Sequence, residues 1–350
     1  DDAKTCVSCR YEFDSEYEPK KTQASNVKAA GFAEGDMIAS RYRVVYELGQ
    51  GGMGVVYLVE DTELEDGFVA LKMVHPQLVA HPEAQKRFSQ EVVVSQKLTH
   101  RNVVRVHDLK RSEGLRFFTM EYIEGRSLRD LLNERKDKKP PFTLSEVVSI
   151  IDSLLQALSY AHQYTIHRDI KPENIMVIGE LPDVTIKVLD FGIAKTLSPS
   201  RFSQTAQALG TAYYMAPEQM VGGKEIDHRA DLYSVGMVLY EMLTGEMAVG
   251  RFPLPSELVS DLPGEVDRLV ETALAVKPEG RFRTADEMKK ALGEALSVYR
   301  ALHDEQQREE PERKRRAEID QLVADGESAL KSCQWDKAQS LFQKALELEP

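Results

Sequence analysis

The stretch His167-Arg168-Asp169-Ile170-Lys171-Pro172-Glu173-Asn174 holds a carboxylate, an ammonium and an amide a few positions apart. Asp169 can accept a hydroxyl proton or orient the hydroxyl, and Lys171 can neutralise a phosphoryl group in transfer. Asn174 offers a neutral oxygen to a metal ion. Further on, Asp190-Phe191-Gly192 ends the apolar run Ile186-Lys187-Val188-Leu189, and a carboxylate at a strand end before glycine suits a Mg²⁺ ligand.

Upstream lies Gly49-Gln50-Gly51-Gly52-Met53-Gly54-Val55-Val56. A GxGxxG on its own is weak, and in a dinucleotide-binding turn a helix would follow it directly. Here a second strand-like run follows, the context of a hairpin laid over phosphates, where glycine lets the backbone come close. Lys72 sits in the apolar run Val69-Ala70-Leu71-Lys72, a costly place for a charge without partners. ATP phosphates and the carboxylate of Glu91, in the helical stretch after it, would supply them. The bland alternative, a lysine at a wet strand edge, fits poorly with its place after the glycine run. Each motif could arise by chance; all of them in this order could hardly do so.

The elements that must carry these residues follow from periodicity. Residues 42–120 form short β-type runs, such as 55–59 and 68–73, interrupted by one helical stretch around 83–98. From about residue 127 helices dominate. Val147, Ile151, Leu154, Leu158 and Ala161 make one apolar helix face, opened by the capping box Thr143/Glu146. A helix over about 229–243 is apolar nearly all round and should be buried, and Thr284 with Glu287 caps a later one. The expected fold class is α+β, a strand-rich lobe followed by a larger helical lobe.

Composition narrows the function. The 350 residues are 42% hydrophobic and 29% charged, with a formal net charge of −12. Without clustered Lys and Arg, nucleic acid is an unsuitable partner. No apolar run approaches the ~20 residues that span a bilayer. The three cysteines, Cys6, Cys9 and Cys333, are too few for a disulfide framework, which fits a reducing, cytoplasmic location. Residues 304–318 are almost all charged and read as a solvated linker or exposed helix.

Taken together, the motifs resemble the protein kinase superfamily over residues 42–298, the bacterial serine/threonine (Hanks-type) kinases in particular. The likeness includes Ala216-Pro217-Glu218, the helix opening Asp231-Leu232-Tyr233-Ser234-Val235-Gly236, and Arg281, placed to pair with Glu218. Arg41-Tyr42-Arg43 before the glycine run and Gly210-Thr211-Ala212-Tyr213-Tyr214-Met215 after it are of the bacterial kind. The resemblance implies a two-lobed fold using ATP and Mg²⁺, with Mn²⁺ as a substitute, on protein substrates. Leu48, Gly49, Gln50, Gly51, Gly52, Met53, Gly54, Val55 and Val56 would cover the nucleotide. Val56 and Ala70 would line the adenine pocket, with Met120 as gatekeeper and the backbones of Glu121 and Ile123 binding adenine. Lys72, held by Glu91, would contact the α- and β-phosphates; Asn174 and Asp190 would hold the metal; Asp169 would orient the acceptor hydroxyl.

The resemblance also implies Ser/Thr specificity, from Lys171 two positions after Asp169 and from Thr211, expected to bond near both. Arg168 before Asp169 implies a cationic pocket and activation by phosphorylation at Thr205, with Ser203 second. After residue 246 the substrate-docking helix usual in such kinases is expected to be reduced or absent. Rival readings are a scaffolding pseudokinase, an adaptor acting through its C-terminal segment, and a small-molecule kinase. The first would need a lost Lys72, Asp169, Asn174 or Asp190, and all are present.

Outside 42–298 three pieces are expected. Residues 1–36 are polar, and Cys6-Val7-Ser8-Cys9 looks like half a zinc ribbon whose second pair would precede Asp1. Residues 299–318 form the charged linker. Residues 319–350 resemble the start of a tetratricopeptide-like repeat region in the placing of Leu322, Gly326, Ala329, Ala338, Phe342, Ala345 and Pro350, a surface for protein partners.

Overall fold

The computed structural model describes residues 31–51, 54–64, 67–75, 82–112, 114–138, 140–191, 212–221 and 226–348. A six-stranded antiparallel sheet in the order β1-β2-β3-β4-β6-β5 forms the N-terminal lobe. Its strands are β1 (Met37–Ile38), β2 (Tyr42–Gly51), β3 (Gly54–Asp61), β4 (Phe68–Val74), β5 (Val106–Ser112) and β6 (Leu115–Glu121). The helix α1 (Pro82–Lys97) lies between β4 and β5 in sequence. One face of the sheet closes on Tyr42, Tyr57, Val59, Leu71 and Phe117; another cluster joins Ala70, Phe88 and Val92 of α1, Phe118 and Met120. Order begins earlier than residue 42, because β1 pairs with β2 and Phe32 packs on this core, donating its N–H to the Tyr57 hydroxyl at 3.3 Å.

The second lobe is helical. α2 (Leu128–Glu134) and α3 (Leu144–Ala161) both begin with capping boxes, Ser127/Asp130 and Thr143/Glu146. The short sheet β7 (Arg126–Ser127), β8 (Ile175–Glu180) and β9 (Asp183–Val188) brackets the catalytic stretch, with β7 before it and β8 and β9 after it. Then come α4 (Pro217–Met220), α5 (Arg229–Thr244), α6 (Pro255–Leu258), α7 (Gly264–Ala273) and α8 (Ala285–Lys331). α5 is buried almost throughout, as its all-round apolar sequence requires. Between α5 and α7 the only helix is the four-residue α6, so the stretch expected to lack a full docking helix does lack one.

The charged stretch, expected as a solvated linker or an exposed helix, is helical and forms part of α8, a continuous 47-residue helix. The antiparallel α9 (Trp335–Leu348) folds back on its end. Ala329, Ala338 and Ala345 are buried in this hairpin, and a Cβ at Gly326 would meet the Phe342 ring at 2.7 Å. Small residues are thus required where the two helices cross closely. No helix among the described residues is long and apolar enough to cross a membrane.

Candidate functional site

The glycine run is a hairpin, with Gly49 opposite Val56, Gln50 opposite Val55 and Gly51 opposite Gly54. Its glycines have different causes. A Cβ on Gly49 or Gly51 would project into open space, so these positions are free for close approach of a ligand. A Cβ on Gly54, at φ +154°, would lie 1.7 Å from the Met73 carbonyl oxygen, so this glycine is demanded by the neighbouring strand rather than by phosphates. Leu48 and Val55 lie on the same hairpin, while Gly52 and Met53 fall outside the described residues.

Below the hairpin, Ala70, Val104, Val106 and Met120 form one apolar cluster with Val56, Ile123 and Leu189 packed on it. This gathers the expected adenine-pocket residues and adds Val104 and Leu189, which the sequence reading missed. Val104 is held by its N–H on the Val188 carbonyl at 3.0 Å. The Glu121 N–H is committed to the Arg105 carbonyl at 2.9 Å. The Glu121 carboxylate pairs with Lys187 at 2.8 Å.

Lys72 lies at the middle of β4, opposite Val56 on one side and Phe118 on the other, and is buried. Its partner is not the one expected. Nζ lies 2.5 Å from Oδ2 of Asp190, and Glu91 takes no part in the pair. Oε2 of Glu91 is buried with no hydrogen bond. Burial pushes the Glu91 carboxyl up to about 7, with Arg168 pulling the other way. The sequence supplied both carboxylates; which one Lys72 takes depends on where α1 sits, and spacing does not encode that.

Asp231, the buried carboxylate in the first turn of α5, fixes the catalytic stretch. It accepts hydrogen bonds from the N–H groups of His167 at 2.8 Å and Arg168 at 2.6 Å, and from His162 Nε2–H at 2.9 Å. Burial works against its charge, yet these partners hold its carboxyl below the usual range. His167 is fully buried, bonded through Nε2 to the Leu189 carbonyl and packed on Phe191 at 4.5 Å between ring centres. Burial lowers its pKa. Beyond this anchor Asp169, Lys171 and Asn174 converge. Lys171 Nζ lies 3.2 Å from Asp169 Oδ2, and the Asn174 amide donates to the Asp169 carbonyl at 2.8 Å and to its Oδ2 at 3.1 Å.

Asp190 follows β9 with φ +56°, a left-handed conformation that Asp tolerates better than most residues. Its Oδ1 is buried and accepts no hydrogen bond. An orphaned carboxylate oxygen, one residue after Leu189, whose N–H bonds the Asn174 carbonyl at 2.9 Å, fits a hard cation such as Mg²⁺, which takes one or two protein ligands and completes its shell with phosphates and water. No group of three or more His, Cys, Asp or Glu side chains placed to hold a metal ion is found among the described residues.

Supporting residues came to light that motif reading did not single out. Ser95 of α1 donates its hydroxyl to the Phe191 carbonyl at 3.0 Å, and Asn102 donates its amide to the Ile186 carbonyl at 3.0 Å. Their only signal was polarity, a serine between the apolar positions Val92 and Leu98 and an asparagine before Val103. Arg281 pairs with Glu218 through two bonds of 2.7 and 2.8 Å, as expected. Thr211, Thr205, Ser203, Cys6 and Cys9 lie outside the described residues.

Comparison with known proteins agrees with this geometry. The family model described as "Protein kinase domain" matches residues 42–292. A serine/threonine-protein kinase PknB of Mycolicibacterium smegmatis is 36% identical over 76% of this chain and 45% of its own length. The Mycobacterium tuberculosis H37Rv PknB is 37% identical over 73% of this chain and 43% of its own. The chain thus spans less than half the length of these curated relatives. Among solved structures, a crystal structure of the Mycobacterium tuberculosis PknI kinase domain aligns with a TM-score of 0.62 at 31% identity, covering 76% of this chain and 99% of that one.

Proposed function

Because this chain belongs to the protein kinase family and carries a domain of the bacterial serine/threonine type, we propose that the whole protein transfers the γ-phosphoryl group of ATP to Ser and Thr hydroxyls of other proteins. The observation that carries this reading is the convergence of Asp169, Lys171 and Asn174, with Lys72 and Asp190 in the same cleft. Asp169 positions the acceptor hydroxyl and takes up its proton, while Lys171 beside it faces the developing charge on the transferred group. Lys72 holds the nucleotide phosphates. The metal supplies charge neutralisation at the phosphate oxygens when Asn174 and Asp190 hold it. Phosphoryl transfer asks little more of a protein than this positioning.

Activation by phosphate at Thr205 or Ser203 is supported by Arg168, a cation immediately before the catalytic aspartate. The C-terminal hairpin supports a tetratricopeptide-like reading through its close Gly326–Phe342 crossing, and a role in binding protein partners through its exposed Trp335 and Leu346. A cytoplasmic site of action, Mn²⁺ in place of Mg²⁺ and zinc at Cys6 and Cys9 rest on sequence alone. The test is transfer of labelled phosphate from ATP to a protein acceptor, with Asp169→Asn as control and phosphoamino-acid analysis of the product. Equal incorporation by parent and variant, or mainly phosphotyrosine, would overturn the assignment.

A further inference from the structure

Arg168 is the residue that turns the chain into Asp169, and it does so with φ +64°, a left-handed conformation that is strained for a non-glycine residue. Such a backbone persists only where its surroundings fix it. One side is fixed by Asp231, which accepts the Arg168 N–H at 2.6 Å. The other side is fixed by Gln219 of α4, whose Nε2 donates to the Arg168 carbonyl at 3.1 Å. The same amide accepts the Ala216 N–H through Oε1 at 3.0 Å, satisfying the first turn of α4. The two partners leave no choice about which way the amide faces, since a backbone N–H needs the oxygen and a carbonyl needs the NH₂. Gln219 is buried. Its neighbour Glu218 is tied to Arg281, so α4 is itself anchored.

We propose that Gln219 is a positioning residue for phosphoryl transfer: its amide clamps the left-handed Arg168 backbone to α4 and so sets the orientation of Asp169 by the placement of the chain that follows the activation segment. The clamp uses one acceptor and one donor forked on a single carbon, a geometry that an amide or a protonated carboxyl supplies. It also gives the activation segment a route to the catalytic aspartate that does not run through the Arg168 guanidinium. The proposal rests on the kinase reading for its catalytic consequence, but not for the contact.

Two variants of the full chain test it. Gln219→Glu is nearly isosteric, keeps the acceptor for Ala216, and loses the donor whenever its carboxyl is ionised. Gln219→Met keeps the volume and loses both. Titratable and charged groups meeting here are His167, Arg168, Asp169 and Lys171 on the catalytic stretch, His162 with Asp231 behind it, and Glu218 of α4 with Arg281 and Arg229, and the parent contains all of them too. The ratio of variant to parent kcat is therefore the quantity to follow. For Gln219→Glu it should be down about tenfold near pH 8, consistent with a lost buried hydrogen bond, and should recover several-fold towards pH 6 as the carboxyl regains its proton. For Gln219→Met it should be low and flat with pH, and the ATP KM should stay near the parent's in both. Hydrogen exchange in the peptide covering 166–171 should quicken in Gln219→Met, a readout that needs no turnover. A parent chain without transferase activity would sink the kinase reading and leave exchange to decide the clamp. Parent-like kcat for Gln219→Glu near pH 8, the same flat ratio for both variants, or unchanged exchange would overturn the proposal.

Discussion

Lys72 Nζ lies 2.5 Å from Asp190 Oδ2, and this pair joins the middle of the upper sheet to the strand end below it. Both are residues assigned to ATP and metal, so in this arrangement two ligand-binding charges neutralise each other. Glu91 stands aside with a buried carboxyl oxygen that accepts nothing.

Loss of the Asp169 carboxylate should abolish chemistry and little else. Asp169→Asn should lower kcat by about 10²–10⁴-fold, the range for loss of a positioned proton acceptor, with the ATP KM near the parent's. The melting temperature should stay within about 3 °C, because the fold-bearing contacts belong to Asp231. Near-normal turnover by the purified variant would contradict the assignment.

Glu91 should leave a pH signature. Its carboxyl titrates at about 7 in the fold against an ordinary 4.5 because burial disfavours the charged form. A raised carboxyl pKa stabilises the folded chain below the ordinary value, and that contribution is lost as pH rises through the folded one. Glu91→Gln, neutral throughout, lacks this dependence. Stability of the parent minus that of the variant, from denaturant melts, should fall between about pH 5 and about pH 8. A flat difference would refute the placement of Glu91.

The glycines of the hairpin should separate into two classes. Gly54→Ala should lower the melting temperature markedly, by an unfolding cost of about 2 kcal/mol or more, because its Cβ collides with a backbone carbonyl that cannot move aside. Gly51→Ala should melt as the parent does and raise the ATP KM by about tenfold, a loss of roughly 1.4 kcal/mol in ligand binding. Similar melting temperatures for the two would show that the strand contact is not as described.

Arg129 should prove structural. Its guanidinium bridges Glu241 at 2.7 Å and Glu173 at 2.9 Å and also meets the Tyr214 hydroxyl, which itself bonds Glu241. Burial, then Glu241, pushes the Tyr214 phenol up, so it remains a donor. Arg129→Met would strand the Glu241 carboxylate and should cost about 2–4 kcal/mol after allowing for the partial exposure of Arg129. Adding Glu241→Gln should restore about half of it, readable in a double-mutant cycle; additive losses would mean that the two side chains act independently.

The catalytic residues were legible because the chemistry crowds them into short segments. Asp169, Lys171 and Asn174 share one loop, and Asp190 is recognised by the glycine and strand around it. What spacing cannot carry is a choice between arrangements differing by a few kcal/mol. Glu91 and Asp190 are equally good partners for Lys72 on paper, and the outcome depends on the packing of α1. The charged run after residue 299 is ambiguous between linker and helix for another reason. Its Glu, Lys, Arg, Gln and Ala residues have high helix propensity, but with little apolar periodicity they look the same in a solvated helix and in a linker. Gln219 escaped notice because a clamp made of one amide and two backbone groups has no pattern in sequence at all.

The unbroken α8 makes the C-terminal hairpin a lever arm. The last residues of α8 that are buried in the lobe core lie at Leu292 and Ala295, and the crossing with α9 begins near Gly326. At about 1.5 Å per residue, the intervening helix holds the hairpin roughly 45 Å from that core. A flexible tether would let a captured partner wander through a large volume. A helical strut instead fixes both distance and azimuth, since every residue added or removed would rotate the hairpin by about 100° around the axis. If the hairpin binds a protein partner as proposed, that partner would meet the lobe from one direction, and an insertion of a few residues in the strut would redirect it without touching any contact surface.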